Sequence, residues 1–169
     1  MNKIAVRSCV ESDIPLILEF INKKAAFDRS MSAFSGEVQT TEKAIGETLF
    51  GAHPYAQALF AESNGLPIGF ALYYFRYSSF KGRPQLWLDD LFVDDNIRSK
   101  GAGTLLMSYL AKIAIKNQCT HISWTANANN TRGIQFYERL GAKIIEQKEK
   151  RLTFQMEKQI FQELDNKSA

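Results

Sequence analysis

Residues 130–141 read Asn-Thr-Arg-Gly-Ile-Gln-Phe-Tyr-Glu-Arg-Leu-Gly. Asn130 can cap a helix and Gly141 is suited to end one, so a helix is predicted over residues 131–140. Two turns into that helix stand Phe136 and Tyr137. Phe136 fits a core aromatic on an amphipathic helix, whereas the phenol of Tyr137, with an ordinary pKa of about 10, can donate a proton to a developing anion.

A second motif, Arg98-Ser99-Lys100-Gly101-Ala102-Gly103, lies one helix and one strand upstream. It follows an apolar strand predicted over residues 86–93 and precedes a helix predicted from about Thr104 to Lys116. Glycines let backbone N–H groups approach an anion, and a helix N-terminus adds partial positive charge, so the loop is suited to a pyrophosphate. The same pattern also occurs in ordinary strand-to-helix turns, and the loop alone leaves both interpretations open.

Hydrophobic periodicity and turn residues give the remaining elements. A first helix follows Ser12 as its N-cap, and a polar connection over residues 28–39, a candidate substrate loop, leads to a second helix over residues 41–50. Strands are predicted over residues 3–8, 55–62, 68–77 and 121–125, with short apolar segments near Ile144 and Leu152 at the end.

Together the two motifs resemble the signature of the GNAT acetyltransferases, an (Arg/Gln)-x-x-Gly-x-(Gly/Ala) loop followed by an Asn-initiated helix containing Phe-Tyr-x-x-x-Gly. The order of elements also resembles that superfamily along essentially the full chain. The resemblance implies an α/β (α+β) protein with the acyl-CoA N-acyltransferase fold, a mixed twisted sheet flanked by helices, in a single domain over residues 1–169. Residues 41–54, 69–75 and 88–93 further resemble the diamine (spermidine/spermine) acetyltransferases and their thialysine-acetylating relatives.

The resemblance implies an enzyme in which a small primary amine attacks acetyl-CoA directly, within a ternary complex. Tyr137 is implied as the general acid for the departing CoA sulfur, and Asp89 as the group that accepts the amine proton through water. Asp89 and Asp90 are adjacent on a strand, so their side chains point to opposite faces, and Asp90 is a candidate cation or structural partner. No cysteine or serine stands in a nucleophile context, which also favours direct transfer.

Acetyl-CoA is the implied cosubstrate. The residues expected to hold its pyrophosphate are Arg98, Ser99, Lys100, Gly101, Ala102, Gly103 and Thr104. Backbone groups of Phe92 and Val93 are expected to pair with the pantetheine arm as an added strand, and Asn130 and Tyr137 to contact the cosubstrate. The expected acceptor-binding residues are Asp28, Tyr74, Asp89 and Asp90. At two of these places the chain departs from the branch. Asp89-Asp90 stands where the relatives have Glu-Asp, and the acidic cluster at Asp28 has fewer acidic residues, with Arg29 and Ser30 beside it.

Composition excludes several other classes. The net charge of +3 is small and interleaved along the chain, which argues against a nucleic-acid partner. Glu11 and Asp13 interrupt the N-terminal apolar residues and no later stretch approaches a membrane span, so a cytoplasmic protein without a membrane partner is expected. Cys9 and Cys119 lack metal-ligand spacing, and no metal site is predicted.

The acceptor stays open at this stage. A diamine, a polyamine or a lysine-like amine is favoured, and the same fold could instead acetylate an aminoglycoside or a protein or peptide amine. An interpretation from another class is a catalytically idle CoA-binding interaction module. The resemblance to the diamine branch also implies a homodimer.

Overall fold

A computed structural model of the protein describes residues 3–97 and 101–167. Its strands are β1 (Ile4–Ser8), β2 (Gln57–Ser63), β3 (Leu66–Ser78), β4 (Arg83–Val93), β5 (His121–Asn127), β6 (Lys143–Lys148) and β7 (Arg151–Glu157). Its helices are α1 (Ile14–Ser30), α2 (Glu42–Leu49), α3 (Ala102–Lys116), α4 (Thr131–Arg139) and α5 (Lys158–Asn166), with short 3-10 turns at Glu11–Asp13 and Asp95–Ile97.

All seven strands belong to one sheet in the order β1-β2-β3-β4-β5-β7-β6. Strands β1 and β2, β2 and β3, β5 and β7, and β6 and β7 pair antiparallel. Strands β4 and β5 pair parallel, with Leu86 opposite Ile122 and Trp87 opposite Ser123. The predicted class, a mixed sheet flanked by helices, is confirmed.

The chain divides into two compact units. The first unit comprises Met1–Tyr74 and Asp90–Leu106, and the second comprises Phe75–Asp89 and Met107–Ala169. Strands β3 and β4 and helix α3 each contribute residues to both units.

The first unit is built around an aromatic core. Phe20 of α1 is 1% exposed, and its ring centroid lies 5.2 Å from that of Phe60 and 5.9 Å from that of Phe70. Phe92, near the end of β4, meets Phe20 edge-on at 6.1 Å. Ile17 and Phe20 are three residues apart, so they share one face of α1 and fix it on this aromatic surface.

The second unit has its own aromatic core. Trp124 of β5 stacks on Phe154 of β7 at 5.8 Å with an angle of 4° between the rings, as expected for residues directly opposite in an antiparallel pair. Helix α5 covers the unit with Phe161 and Leu164, which are buried at helical spacing. Helix α5 was not predicted from the sequence, because it has only nine residues and its N-cap residue, Glu157, makes no side-chain capping hydrogen bond.

Several predicted boundaries differ from the structure, among them both ends of α1 and the start of α3. Ser12 is not an N-cap: it lies in the 3-10 turn, and α1 begins at Ile14 behind Asp13, whose carboxylate is bound by the Val10 amide and by Arg7. The connection does not begin at Asp28, because α1 continues to Ser30. Helix α3 begins at Ala102, two residues earlier than predicted.

Candidate active site

Asp28 and Asp90, two of the predicted acceptor-binding residues, lie close to one ammonium group in the first unit. Lys24 Nζ is 2.5 Å from Asp28 Oδ2 and 3.8 Å from Asp90 Oδ1. The three side chains are 20%, 25% and 23% exposed, so the cluster is half-buried yet open to solvent. The structure thus brings Asp28 and Asp90 together around an alkylammonium group that belongs to the chain itself.

Helix α1 is held to the end of β4 by polar and aromatic contacts. The rings of Phe27 and Phe92 meet edge-on at 6.3 Å, and Lys23 Nζ lies 3.8 Å from Asp94 Oδ2. Asp90 and Phe92 are two residues apart on β4, so both point toward α1. This alternation is why Asp90, and not its neighbour Asp89, reaches Lys24.

The connection after α1 is ordered by Arg29. Its guanidinium group donates to the Gly36 carbonyl oxygen, at 2.9 Å from Nη2, and lies over the Phe34 ring, 5.1 Å from the centroid. The Ala33 amide donates to the Asp28 carbonyl oxygen at 2.8 Å. The candidate substrate loop therefore starts from a defined conformation directly after the acidic cluster, which suits a loop that shapes a binding site.

Gly101 and the first turn of α3 have the backbone that an anion site requires. Gly101 has φ +91°, a conformation that favours glycine, and an added Cβ would meet no atom of the described residues within 4 Å. Its carbonyl oxygen accepts the Leu105 amide at 2.9 Å, which makes Ala102, Gly103 and Thr104 the first helical turn. The N–H groups of a first turn have no intrahelical acceptor, so they are available to a ligand. Arg98, Ser99 and Lys100 lie outside the described residues.

Phe92 and Val93 end strand β4, and β3 approaches them closely at Gly69. A Cβ added to Gly69 would lie 3.3 Å from the Phe92 carbonyl oxygen and 3.3 Å from Val93 Cγ2. The Asp94 amide donates to the Ile68 carbonyl oxygen at 2.9 Å, which extends this contact past the strand end. The backbone at Phe92 and Val93 is therefore held firmly on the β3 side.

Tyr74, the fourth predicted acceptor-binding residue, is half-buried in β3. It follows Tyr73, which is buried and donates its hydroxyl to Gln57 Oε1 at 2.6 Å. Farther along the β3–β4 hairpin, Tyr77 and Phe80 are 73% and 102% exposed, because the hairpin ends beyond the packed part of the sheet.

Asp89 lies in the second unit, on the face of β4 that also carries Trp87. The Trp87 indole N–H donates to Asp89 Oδ1 at 3.2 Å. The Arg76 guanidinium lies over the Trp87 ring, 3.5 Å from the centroid, in a cation–π contact. Asp89 is exposed, so its carboxylate is both oriented by Trp87 and accessible to water or an acceptor.

Tyr137 is buried in the second unit, 8% exposed, on the inner face of α4. Its ring centroid lies 4.9 Å from that of Trp124 and 5.2 Å from that of Phe154. The Trp124 indole N–H is buried without a hydrogen-bond partner among the described residues, so ring packing is what holds the indole. The ring of Tyr137 is therefore held in place by its packing against Trp124 and Phe154.

Asn130 caps α4, and Gly133 is required by that cap. Asn130 Oδ1 accepts the Gly133 amide at 2.9 Å. A Cβ on residue 133 would lie 2.4 Å from Asn130 Nδ2, well inside contact distance. The pairing of Asn130 with Gly133 thus sets the start of the helix that carries Tyr137.

The sequence did not lead to a prediction that the candidate site contains Lys24, Trp87 and Arg76. Lys24 was detectable, since Lys and Asp at positions i and i+4 of a helix are neighbours. Trp87 and Asp89 are two residues apart on one strand and share a face, so their contact could also have been predicted. Arg76 lies on a different strand from Trp87, and only the register of β3 against β4 brings the two together.

Within residues 3–97 and 101–167, no helix is long and apolar enough to cross a bilayer. The same residues contain no group of three or more His, Cys, Asp or Glu side chains arranged to hold a metal ion.

Comparisons with known proteins agree with the sequence resemblance. The Acetyltransferase (GNAT) family profile matches residues 24–142, more than half of the chain. The chain is 29% identical to a thialysine N-epsilon-acetyltransferase of Mus musculus, over 97% of this chain and 98% of the relative. It is 25% identical to an L-ornithine N5-acetyltransferase of Arabidopsis thaliana, over 84% of this chain and 80% of that one.

A solved structure has the same fold. The PaiA N-acetyltransferase of Thermoplasma acidophilum, solved in complex with coenzyme A, superposes with a TM-score of 0.72 and 15% sequence identity, covering 92% of this chain and 99% of that chain. The predicted family, branch, enzyme class and cosubstrate are confirmed. The chain belongs to the acetyltransferase (GNAT) family of acetyl-CoA-dependent N-acetyltransferases.

Proposed function

We propose that the enzyme acetylates a primary amine of a small cationic molecule: a diamine, a polyamine or a lysine-like amino acid. One observation carries this proposal: Asp28 and Asp90 lie around the alkylammonium group of Lys24. These two carboxylates already hold one alkylammonium group at a half-buried place, which is the chemistry that a cationic acceptor requires. The thialysine and ornithine acetyltransferases named above act, by their names, on amines of this kind.

The proposed role of Asp89 is to accept the proton of the attacking amine. An alkylamine with a pKa of about 10.4 is almost wholly protonated at neutral pH and must lose a proton to become a nucleophile. The exposed Asp89 carboxylate, oriented by Trp87 at 3.2 Å, accepts that proton through a water molecule. The neutral nitrogen then attacks the thioester carbonyl carbon and forms the new C–N bond.

The proposed role of Tyr137 is to donate a proton as the C–S bond breaks. The electron pair of that bond goes to the sulfur, and the phenol O–H supplies the proton that yields the free CoA thiol. The acetylated nitrogen loses its extra proton as the amide forms, and a proton returned through water restores the phenol. The ring contacts with Trp124 and Phe154 fix the position of the ring and of its hydroxyl oxygen. Direct transfer needs no covalent acetyl-enzyme.

The proposed cosubstrate site uses backbone groups. The N–H groups of Ala102, Gly103 and Thr104 bind the pyrophosphate, and the open left-handed Gly101 lets it approach. Phe92 and Val93 pair with the pantetheine arm, and Asn130 contacts it from the start of α4. Contributions of Arg98, Ser99 and Lys100 stay predictions from the sequence, as do Tyr74 as a pocket wall, the single-domain organisation, the homodimer and the cytoplasmic location.

The test is turnover on a panel of diamines, polyamines, lysine analogues, aminoglycosides and peptides, measured as release of free CoA thiol. Tyr137→Phe removes the proton donor and keeps the ring, so kcat should fall about a hundredfold or more while acetyl-CoA binding persists. Tyr77→Phe, which removes the same hydroxyl at a position that is 73% exposed, is the matched control and should retain kcat. Turnover restricted to aminoglycosides or peptides would contradict the acceptor class. Acetyl-CoA binding without turnover on any amine would favour the interaction module.

A further inference from the structure

We propose that Lys24 is a specificity-determining residue. Its ammonium group offsets part of the charge of Asp28 and Asp90, and it thereby favours acceptors that combine an amine with a carboxylate over diamines and polyamines. The inference rests on the proposed function, because it concerns the choice among small amines at that same cluster.

Lys24 occupies a position where a lysine is unusual. Phe20 stands four residues before it and Asp28 four residues after it, so Lys24 lies on the packed stripe of α1. Its side chain is only 20% exposed. A lysine this far buried requires a charged partner, and both of its recorded partners are predicted acceptor-binding residues.

Charge balance gives the direction of the preference. Removal of the Lys24 ammonium makes the surroundings of Asp28 and Asp90 more negative by one charge, which favours a diamine or a longer polyamine. Its presence makes them less negative by one charge, which favours an amino acid that carries a carboxylate beside its two ammonium groups. The cluster is half-buried, so these interactions are screened less than those of surface charges.

The ammonium group can also contact the acceptor directly. An ammonium carries three donors, and the hydrogen bond to Asp28 uses one of them. A remaining donor can therefore bind an acceptor carboxylate. A diamine has no such group, and its second ammonium is repelled by Lys24 although the carboxylates attract it.

L-ornithine and 1,4-diaminobutane form a matched pair of acceptors, since they differ only by the carboxylate. The measured quantity is the ratio of kcat/KM for ornithine to kcat/KM for diaminobutane, obtained from CoA thiol release. Lys24→Met removes the charge with little change in length, and Lys24→Arg keeps the charge. Lys23→Met is the matched control, because Lys23 is the adjacent lysine of α1 and lies 3.8 Å from Asp94, the same separation as Lys24 from Asp90.

In Lys24→Met the ratio should shift about tenfold or more toward diaminobutane, mainly through KM, which corresponds to a change in binding free energy of about 1.4 kcal/mol. Lys24→Arg and Lys23→Met should keep the wild-type ratio. An equal loss for both acceptors in Lys24→Met would assign Lys24 a structural role and overturn the inference alone. Absence of wild-type turnover on every small amine would overturn the proposed function, and the inference with it.

Discussion

The Trp87 indole N–H donates to Asp89 Oδ1 at 3.2 Å, and both side chains stand on the same face of β4. Arg76 lies over the other side of that indole, 3.5 Å from the ring centroid. Asp89 is thus positioned by a side chain whose own orientation is fixed by a cation–π contact. An exposed carboxylate without such support would sample several rotamers.

Asp89→Asn should lower kcat about a hundredfold near neutral pH, because the amide cannot accept the amine proton. The deficit should shrink as pH rises toward about 10, where the free amine is abundant without a base. The measurement is the pH profile of kcat for both proteins. Trp87→Phe, which keeps the carboxylate and removes its donor, should show a smaller deficit. A deficit for Asp89→Asn that stays constant across the profile would contradict the base assignment.

Gly133→Ala should destabilise the protein by about 1 kcal/mol, because the new methyl displaces the Asn130 cap. A decrease in the free energy of unfolding is the diagnostic result, since Gly→Ala within a helix ordinarily increases it. Thermal unfolding of the variant gives the change in free energy. Gly46→Ala in α2 is the control: its Cβ would lie 3.4 Å from Ile14 Cδ1, an acceptable contact, so that variant should be neutral or more stable.

Acid should destabilise the protein in part through Asp13. Arg7 donates to both Asp13 oxygens, at 2.6 and 2.9 Å, and these bonds are the main cause of the lowered pKa of Asp13. A carboxyl whose pKa is lowered by folding stabilises the fold above its unfolded value of about 3.9, and this stabilisation is lost as pH falls through the folded value. The loss of melting temperature below about pH 4 should therefore be smaller in Asp13→Asn than in the wild type.

Protonation of His121 should destabilise the protein at a higher pH than protonation of Asp13 does, so the two effects can be distinguished. Burial is the main cause of its lowered pKa, so folding disfavours the protonated imidazole. Stability from this group is complete above about pH 6.5 and falls as the pH drops below that value. An Asp13→Asn variant with the wild-type acid profile would contradict the role given to the Arg7 contact.

Neither cysteine should react quickly with a thiol reagent near neutral pH. Burial raises the pKa of the Cys9 thiol to about 12 and that of Cys119 to about 11, so almost no thiolate is present. Both thiols should react with Ellman's reagent slowly in the folded protein and rapidly after denaturation. Rapid modification of the folded enzyme with loss of activity would contradict direct transfer without a thiol nucleophile.

Much of the fold was predictable because its signals are local. Asn130 and Gly141 are helix-terminating signals that act on their immediate neighbours, and α4 lies between them as predicted. The start of α1 was not predictable in the same way. Ser12 is a good cap by type, yet Arg7 on β1 binds Asp13 and moves the start of the helix, a contact that depends on folding.

The same distinction between local signals and contacts that depend on folding applies to the candidate site. The sequence predicted that Asp89 and Asp90 face opposite sides of β4, because strand alternation is local. It did not predict that Lys24 would contact Asp90, since α1 and β4 are far apart in sequence and their separation is set by packing between Phe20, Phe27 and Phe92.

The protein has two tryptophans, and each stands beside one of the two proposed proton-transfer residues. Trp124 is 1% exposed, in ring contact with Tyr137, whereas Trp87 is only half-buried and bonded to Asp89. Buried and hydrated indoles emit at different wavelengths, so the intrinsic fluorescence should separate into a blue component and a red component. In Trp87→Phe only the blue emitter remains, and the protein then carries a single native optical probe of the surroundings of Tyr137.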